Sequence, residues 1–515
     1  MKIPLDRNSK TPLYRQIHAF LHHKIVSGTL AEGTRLHSSR KLASDLGVNR
    51  ITVNNAYAEL EAEGLIYSRL GSGTYVAPLP GRHTYFQDED AHARQWPIWQ
   101  QILSRKPHLP THREIQRIGI VFDTPEDSIS FSGGIGAEEL YPIRDFRNAF
   151  QNVFYHDKHQ ALKYGEAQGY LPLRATISHI LSSQGISAYP EEVLVTSGSQ
   201  QAIVLVASLL LRPGDTVLLE SPTYPGAIDI FSSFGAHLVG VPVDENGMRV
   251  EDMEELLRKV HPSLIYTIPT FHNPTGTCMS TSRRRQLISL AERYNVPILE
   301  DDFVGDLRYE GRTHPALKTL DPGGMVIYTG TFSKMLMPAL RIGYLVASGP
   351  VYDWLLERKQ MIDLATSNLV QRALEAYISV GRYEINLNRA RKVYRERRDA
   401  MLSALDNYIP EGTHWITPKG GIFIWLRLPG DLSANDLYPL AKREGVLYAP
   451  GTMFSPGEGE SSCLRLNFSI QRPEKIEEGI RRLGRAIERT YEQQSNEGGT
   501  SLPAKEKNSA RDQVL

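Results

Sequence analysis

The stretch Thr331-Phe-Ser-Lys-Met-Leu-Met-Pro-Ala-Leu-Arg-Ile-Gly-Tyr344 sets Lys334 among small and apolar residues. An ordinary surface lysine fits that setting poorly, because burying an ammonium is costly unless it has a task. Just upstream, Val326-Ile-Tyr-Thr329 is a short apolar run, and Val193–Thr196, Thr216–Glu220, Leu264–Ile268 and Pro297–Glu300 are others. Runs apolar throughout suit strands buried on both faces. Helical segments lie between them, so residues 125–491 read as an α/β domain with a mostly parallel sheet.

Further segments fall in order along this domain. Thr196-Ser-Gly-Ser-Gln-Gln201 follows a strand and opens a helix, where free N–H groups and the positive end of the helix dipole suit a phosphate. Ser221-Pro-Thr-Tyr-Pro-Gly226 is a proline-rich turn, and His272-Asn-Pro-Thr-Gly276 is a turn just past a strand. Glu300-Asp301-Asp302-Phe303 puts adjacent carboxylates at a strand's C-terminal end, where ligands of α/β sheets bind. Taken singly, most of these have an ordinary structural explanation.

Together, in this order, they resemble the pyridoxal 5'-phosphate pocket of fold-type-I, class I aminotransferases. The resemblance implies that Lys334 forms the Schiff base with the cofactor and that Asp301 faces its pyridine nitrogen. It implies that Ser199, Gln200, Thr331, Ser333 and Arg341 hold the phosphate. Tyr224 would stack on the ring and Asn273 would donate to its phenolic oxygen. Tyr164, in LKYGEAQGYLPLR, matches a tyrosine that reaches a phosphate across a dimer interface. Arg465, in CLRLNFS, matches the arginine that grips a substrate or effector carboxylate. The chain departs from the pattern at Phe303, where the family usually carries a tyrosine whose hydroxyl supports the phenolic oxygen.

Residues 10–77 follow a different grammar. A first helix opens at Pro12 with Leu13, Ile17, Phe20, Leu21 and Ile25 on one face, and Gly28 is its expected stop. A short second helix follows Ser38, a natural N-cap, and a third runs from about Asn49 to Glu63, with Gly64 ending it. Leu65-Ile-Tyr67 and Thr74-Tyr-Val76 flank a Gly-Ser-Gly turn and read as a hairpin. This order describes a winged helix. The polar start of the third helix presents Arg50, Thr52, Asn54 and Asn55 where base edges are read. Ser38, Ser39 and Arg40 suit phosphate contacts, and Arg69 lies on the wing. Residues 1–77 carry ten Lys and Arg against six Asp and Glu. The stretch LHSSRKLASDLGVNRITVNNAYAELEAEGLIYSRLGSGTYVA closely resembles the GntR-type winged helix, with His37 where that family commonly has proline.

The whole chain, 515 residues with no formal net charge, is long enough for two or three domains. Its two cysteines, Cys278 and Cys463, make neither a disulfide framework nor a metal cluster and point to a reducing cytoplasm. The N-terminus has no signal-peptide core. The longest apolar stretch, Ala202 to Leu211, is too short for a bilayer, so no membrane is expected as partner. Residues 78–124 read as a polar linker with a short helix near Trp96–Leu103, and 492–515 as a disordered tail. A GntR-type head on an aminotransferase-like body resembles the MocR-type regulators. That resemblance implies a head-to-tail homodimer that binds a double-stranded DNA operator and senses an amine, an amino acid or pyridoxal phosphate. The alternative is an active aminotransferase whose head only tethers it to DNA; Phe303 favours the regulator.

Overall fold

The computed structural model describes residues 3–77 apart from 8, 10, 27, 28, 31, 32, 64 and 70–72, and residues 127–498 apart from 431 and 458–460. The chain divides into two compact units, Met1–Ser104 and Arg105–Leu515.

In the first unit, α1 (Leu13–Val26), α2 (Ser39–Leu46) and α3 (Arg50–Ala62) precede an antiparallel hairpin of β1 (Ile66–Arg69) and β2 (Gly73–Val76). The caps form as their residue types dictate. The Ser38 hydroxyl accepts from the Lys41 N–H at 3.3 Å, and Asn49 Oδ1 accepts from the Ile51 N–H at 2.9 Å. Gly47 closes α2 at φ 61°, a left-handed conformation that glycine enters without steric cost. Ile17, Leu21, Ile25, Leu42, Val53, Ala56 and Leu60 meet in one core. His37 needs no proline to be stiff: the Tyr57 hydroxyl donates to its carbonyl at 2.8 Å. The expected helix stops at Gly28 and Gly64, the tip of the hairpin turn, and the linker with its short helix all lie outside the described residues.

The second unit is built on β3 (Ile129–Ser130), β4 (Val193–Thr196), β5 (Thr216–Ser221), β6 (His237–Asp244), β7 (Gly247–Met248), β8 (Leu264–Thr267), β9 (Ile298–Asp302), β10 (Val326–Thr331) and β11 (Gly343–Val346). All but β3 join one sheet in the order β4-β11-β10-β9-β8-β5-β6-β7. The run β10-β9-β8-β5-β6 is parallel, and every residue of β4, β8, β10 and β11 is buried. The expected sheet is therefore present, with β6, β7 and β11 added to the five strands read from the sequence, and β7 pairs antiparallel with β6. β11, formed by the end of the quoted lysine stretch, runs antiparallel to both β10 and β4 and lies between them.

A smaller antiparallel sheet has the order β12 (His414–Trp415), β13 (Phe423–Arg427), β16 (Cys463–Asn467), β15 (Ala449–Pro450), and β14 (Val446–Leu447) pairs with β3. The last helix, Pro473–Gly498, is anchored by fully buried Ile476, Ile480, Leu483 and Ile487. It continues past Glu492, where the tail was expected to begin, because glutamate and glutamine propagate a helix well. Residues 499–515 lie outside the described set.

Candidate functional site

The parallel strands deliver chemistry at their C-terminal ends. Lys334 follows β10, Asp301 is the penultimate residue of β9, and Asn273 follows β8. Lys334, Asp301, Arg341 and Arg465 form one electrostatic cluster. Burial pulls the Lys334 ammonium down to about 8, with Arg465 and Arg341 adding to the shift and Asp301 opposing it. A lysine so placed spends a large share of its time as the neutral, nucleophilic amine near pH 8. Gly134 lies over it: a Cβ there would come to 4.0 Å from Lys334 Nζ.

Asp301 is 3% exposed and accepts from the Tyr266 hydroxyl at 2.8 Å through Oδ2. Its Oδ1 is buried with no partner. Burial raises this carboxyl to about 7, with the Tyr266 hydrogen bond working against the rise. Arg465 is buried too. Its Nη1 donates to Asn273 Oδ1 at 2.8 Å and its Nη2 to the Ser132 carbonyl at 2.7 Å, while Nε has no partner. Since a guanidinium only donates, the Asn273 oxygen must face it, and the amide NH2 faces elsewhere. The Arg465 guanidinium carbon lies 4.0 Å from the Phe423 ring centre, a cation–π contact that helps hold a cation whose burial pulls its pKa to about 9.

The segment expected to cup a phosphate is an uncapped turn at a helix start. Gly198, at φ 90°, precedes the helix Ser199–Leu210 and supplies no side-chain cap, so the N–H groups of Ser199 and Gln200 stay available, while that of Gln201 donates to the Gly198 carbonyl at 3.2 Å. Arg341 Nη2 donates to the Ser197 carbonyl at 3.0 Å. Thr331 Oγ1 accepts from the Ser333 N–H at 3.2 Å, and Ser333 Oγ is buried without a partner. Gln200 is exposed beside Ser199. The Tyr224 ring packs over Gly226, where any Cβ would collide with it at 2.4 Å.

Two expected residues stand differently. Tyr164 is 91% exposed, so this chain alone gives its hydroxyl no buried partner. Phe303 is buried and stacks on Phe423 with ring centres 6.2 Å apart; it brings no hydroxyl.

In the first unit, Arg40, Arg50, Asn54 and Ser38 are exposed, and Ser39 and Thr52 are half-buried. Arg50 Nε donates to Ser39 Oγ at 3.3 Å, tying the start of α3 to the start of α2. The Arg69 side chain lies outside the described set. Sequence reasoning missed Ile51, which is 64% exposed beside Arg50 at the start of α3, a position from which an apolar side chain can meet a thymine methyl. It also missed Tyr266; the signal was a polar-tipped residue inside an otherwise apolar strand. Among the described residues no group of three or more His, Cys, Asp or Glu is arranged to hold a metal ion, and no helix is long and apolar enough to cross a membrane.

Pyridoxal phosphate fits this pocket on the residues' own evidence. Among the buried atoms without a partner are an acid oxygen at Asp301, a hydroxyl at Ser333 and a guanidinium nitrogen at Arg465, beside an amine of lowered basicity. Residues 134–483 match the family model "Aminotransferase class I and II", and residues 13–76 match "Bacterial regulatory proteins, gntR family". Over 488 residues the chain is 34% identical to the uncharacterized HTH-type transcriptional regulator YdfD of Bacillus subtilis, covering 95% of this chain and 99% of that one. The crystal structure of Pyrococcus horikoshii kynurenine aminotransferase, in complex with PMP, matches with a TM-score of 0.69 at 35% identity, over 79% of this chain and 97% of that one. That of LysN, the alpha-aminoadipate aminotransferase of Thermus thermophilus complexed with a phosphopyridoxyl-leucine, matches with a TM-score of 0.67 at 36% identity, over 73% and 96%. With both halves matched, and one regulator matched along almost its whole length, the chain belongs to the MocR-type proteins: a gntR-family winged helix fused to a class I and II aminotransferase domain, whose cofactor is pyridoxal 5'-phosphate.

Proposed function

We propose that the protein is a cytoplasmic transcription regulator whose aminotransferase-like body senses an amine, an amino acid or pyridoxal phosphate itself and whose winged helix binds operator DNA. The observation that carries this reading is the match to an HTH-type regulator over 95% of the chain, head included. When bound, the cofactor offers an aldehyde to amines and an electron-withdrawing ring. The residues around it bind, orient and move protons. With the cofactor bound, Lys334 would hold it covalently, Asp301 would keep its pyridine nitrogen protonated, and Asn273, whose oxygen is taken by Arg465, would offer its NH2 to the phenolic oxygen. Ser199, Gln200, Thr331, Ser333 and Arg341 would hold its phosphate, and Tyr224 would stack on its ring. Arg465 takes an effector carboxylate on its unpartnered Nε edge.

Tyr164 serves the site of a second copy. Its exposure supports a homodimer, as do the exposed apolar residues Ile143, Tyr155, Leu162, Met361 and Leu364. The arrangement proposed is head-to-tail. In the head, Arg50, Thr52 and Asn54 read base edges, while Ser38, Ser39, Arg40 and Arg69 contact backbone phosphates.

The test is DNA selection by the full-length protein loaded with pyridoxal phosphate. Duplexes selected from a random pool should carry paired half-sites, and their affinity should change when the right amine is added. Deleting residues 1–77 should abolish binding; retained affinity would refute the reading. A second reading, residual transaminase activity, is favoured by the assembled Lys334, Asp301, Asn273 and Arg465 cluster. Loss of the cofactor's visible absorbance on mixing with amino acids measures it.

A further inference from the structure

We infer that Gln201, Asp363 and Lys359 are positioning residues of the phosphate cup, a role that rests on the cofactor reading above. The cup needs the Ser197–Gly198–Ser199 turn held in one conformation, yet the helix it opens has no side-chain cap. Gln201, inside the first turn, supplies the hold. Its Oε1 accepts from the Ser197 N–H at 2.7 Å, and its Nε2 donates to Asp363 Oδ2 at 2.9 Å. The orientation of the amide is unambiguous, because the Ser197 N–H only donates and an ionised Asp363 only accepts.

Arg341 grips the carbonyl of the same Ser197 at 3.0 Å. At Gly343 a Cβ would come within 2.7 Å of the Gly198 carbonyl carbon and the Ser199 nitrogen, so backbone packs directly against backbone there.

The second half of the link deals with charge. Asp363, one hydrogen bond from Gln201, would by itself repel an incoming phosphate dianion. Its other oxygen accepts from Lys359 Nζ at 2.8 Å, and Lys359 is 0% exposed. Burial pulls the lysine's pKa down and Asp363 holds it up, so each charge needs the other. The trio as a whole is neutral: it orients the turn without opposing the ligand the turn is built for.

The test titrates apo-protein with pyridoxal phosphate and, separately, with pyridoxal, following the visible absorbance of the bound ligand. Gln201→Glu keeps the acceptor for the Ser197 N–H but sets a carboxylate against Asp363. It should weaken pyridoxal phosphate about tenfold or more, the scale of a buried polar mismatch, and leave pyridoxal unchanged. The double variant Gln201→Glu/Asp363→Asn restores a donor between the two positions and the same net charge over the trio, and should recover most of the loss. Wild-type affinity in Gln201→Glu, equal loss of both ligands, or no recovery in the double variant would each overturn the proposal. If the wild type takes up no pyridoxal phosphate, the cofactor reading itself falls, and this proposal with it.

Discussion

Replacing Tyr266 with phenylalanine isolates one hydrogen bond in the cofactor site. The ring keeps its place: it is fully buried and meets Phe231 edge-on with centroids 5.5 Å apart, and phenylalanine preserves that packing. What disappears is the hydroxyl donating to Asp301 Oδ2 at 2.8 Å. Asp301 Oδ1 already lacks a partner, so the variant leaves both oxygens of a buried carboxylate unsupported. Hydrogen bonds to charged groups contribute about 1.5–3 kcal/mol, and about 1.36 kcal/mol corresponds to one pKa unit. The carboxyl, which burial has already raised to about 7, should therefore rise by about one to two units more.

The sign follows from the proposed role. Only ionised Asp301 stabilises a protonated pyridine nitrogen, so pyridoxal phosphate affinity falls as pH drops through the Asp301 pKa. Raising that pKa moves the fall to higher pH. Affinity of apo-protein for pyridoxal phosphate, measured by absorbance from about pH 6 to 9, should show the midpoint displaced upward by that one to two units, with about ten- to hundredfold weaker binding on the acidic side. Superimposable pH profiles in wild type and Tyr266→Phe would refute the argument that Tyr266 sets the charge of Asp301.

Other outcomes follow from the same geometry. Lys334→Ala should abolish the visible band of the bound cofactor. In the wild type, the rate of covalent cofactor capture should climb with pH and level off above about 8, because the neutral amine is the reactive form and burial has lowered its pKa from 10.5. A rate still climbing steeply above about pH 10, the range of an unperturbed lysine, would count against a buried nucleophile. Arg40→Ala should weaken binding to all duplexes alike and lower the salt slope by about one, whereas Arg50→Ala or Asn54→Ala should cost roughly 1–3 kcal/mol and relax base preference. Competition binding at several salt concentrations separates the two classes. Phe303→Tyr should speed the loss of visible absorbance with amino acids by adding a hydroxyl near the cofactor; an unchanged rate would show that the missing hydroxyl is not what limits the reaction.

Much of the molecule was legible along the chain because its signals are local. Ser38 and Asn49 cap helices through bonds to N–H groups three and two residues away, so residue type and spacing suffice to read them. The buried face of α3 follows from helical periodicity alone. Lys334 stood out because a charged residue within an apolar run has few explanations. The motifs at strand ends could be read as turns from their composition, but only their order, through its resemblance to the class I aminotransferases, marked them as a pocket.

Tertiary structure decided what depends on groups far apart in sequence. β11 ends the lysine stretch as an antiparallel strand between β10 and β4, and strand order is set by long-range packing rather than by any local pattern. The Arg465–Asn273 bond spans 192 positions and the Gln201–Asp363 bond 162. Whether a polar side chain is satisfied depends on what the fold brings to it, which no spacing rule encodes. Tyr266 looked like one more apolar strand residue until β8 and β9 paired and set its hydroxyl against Asp301. The chain alone thus determined which chemical groups are present and in what order; the fold decided which of them are charged, which are paired, and which are left with a donor or acceptor still to spend.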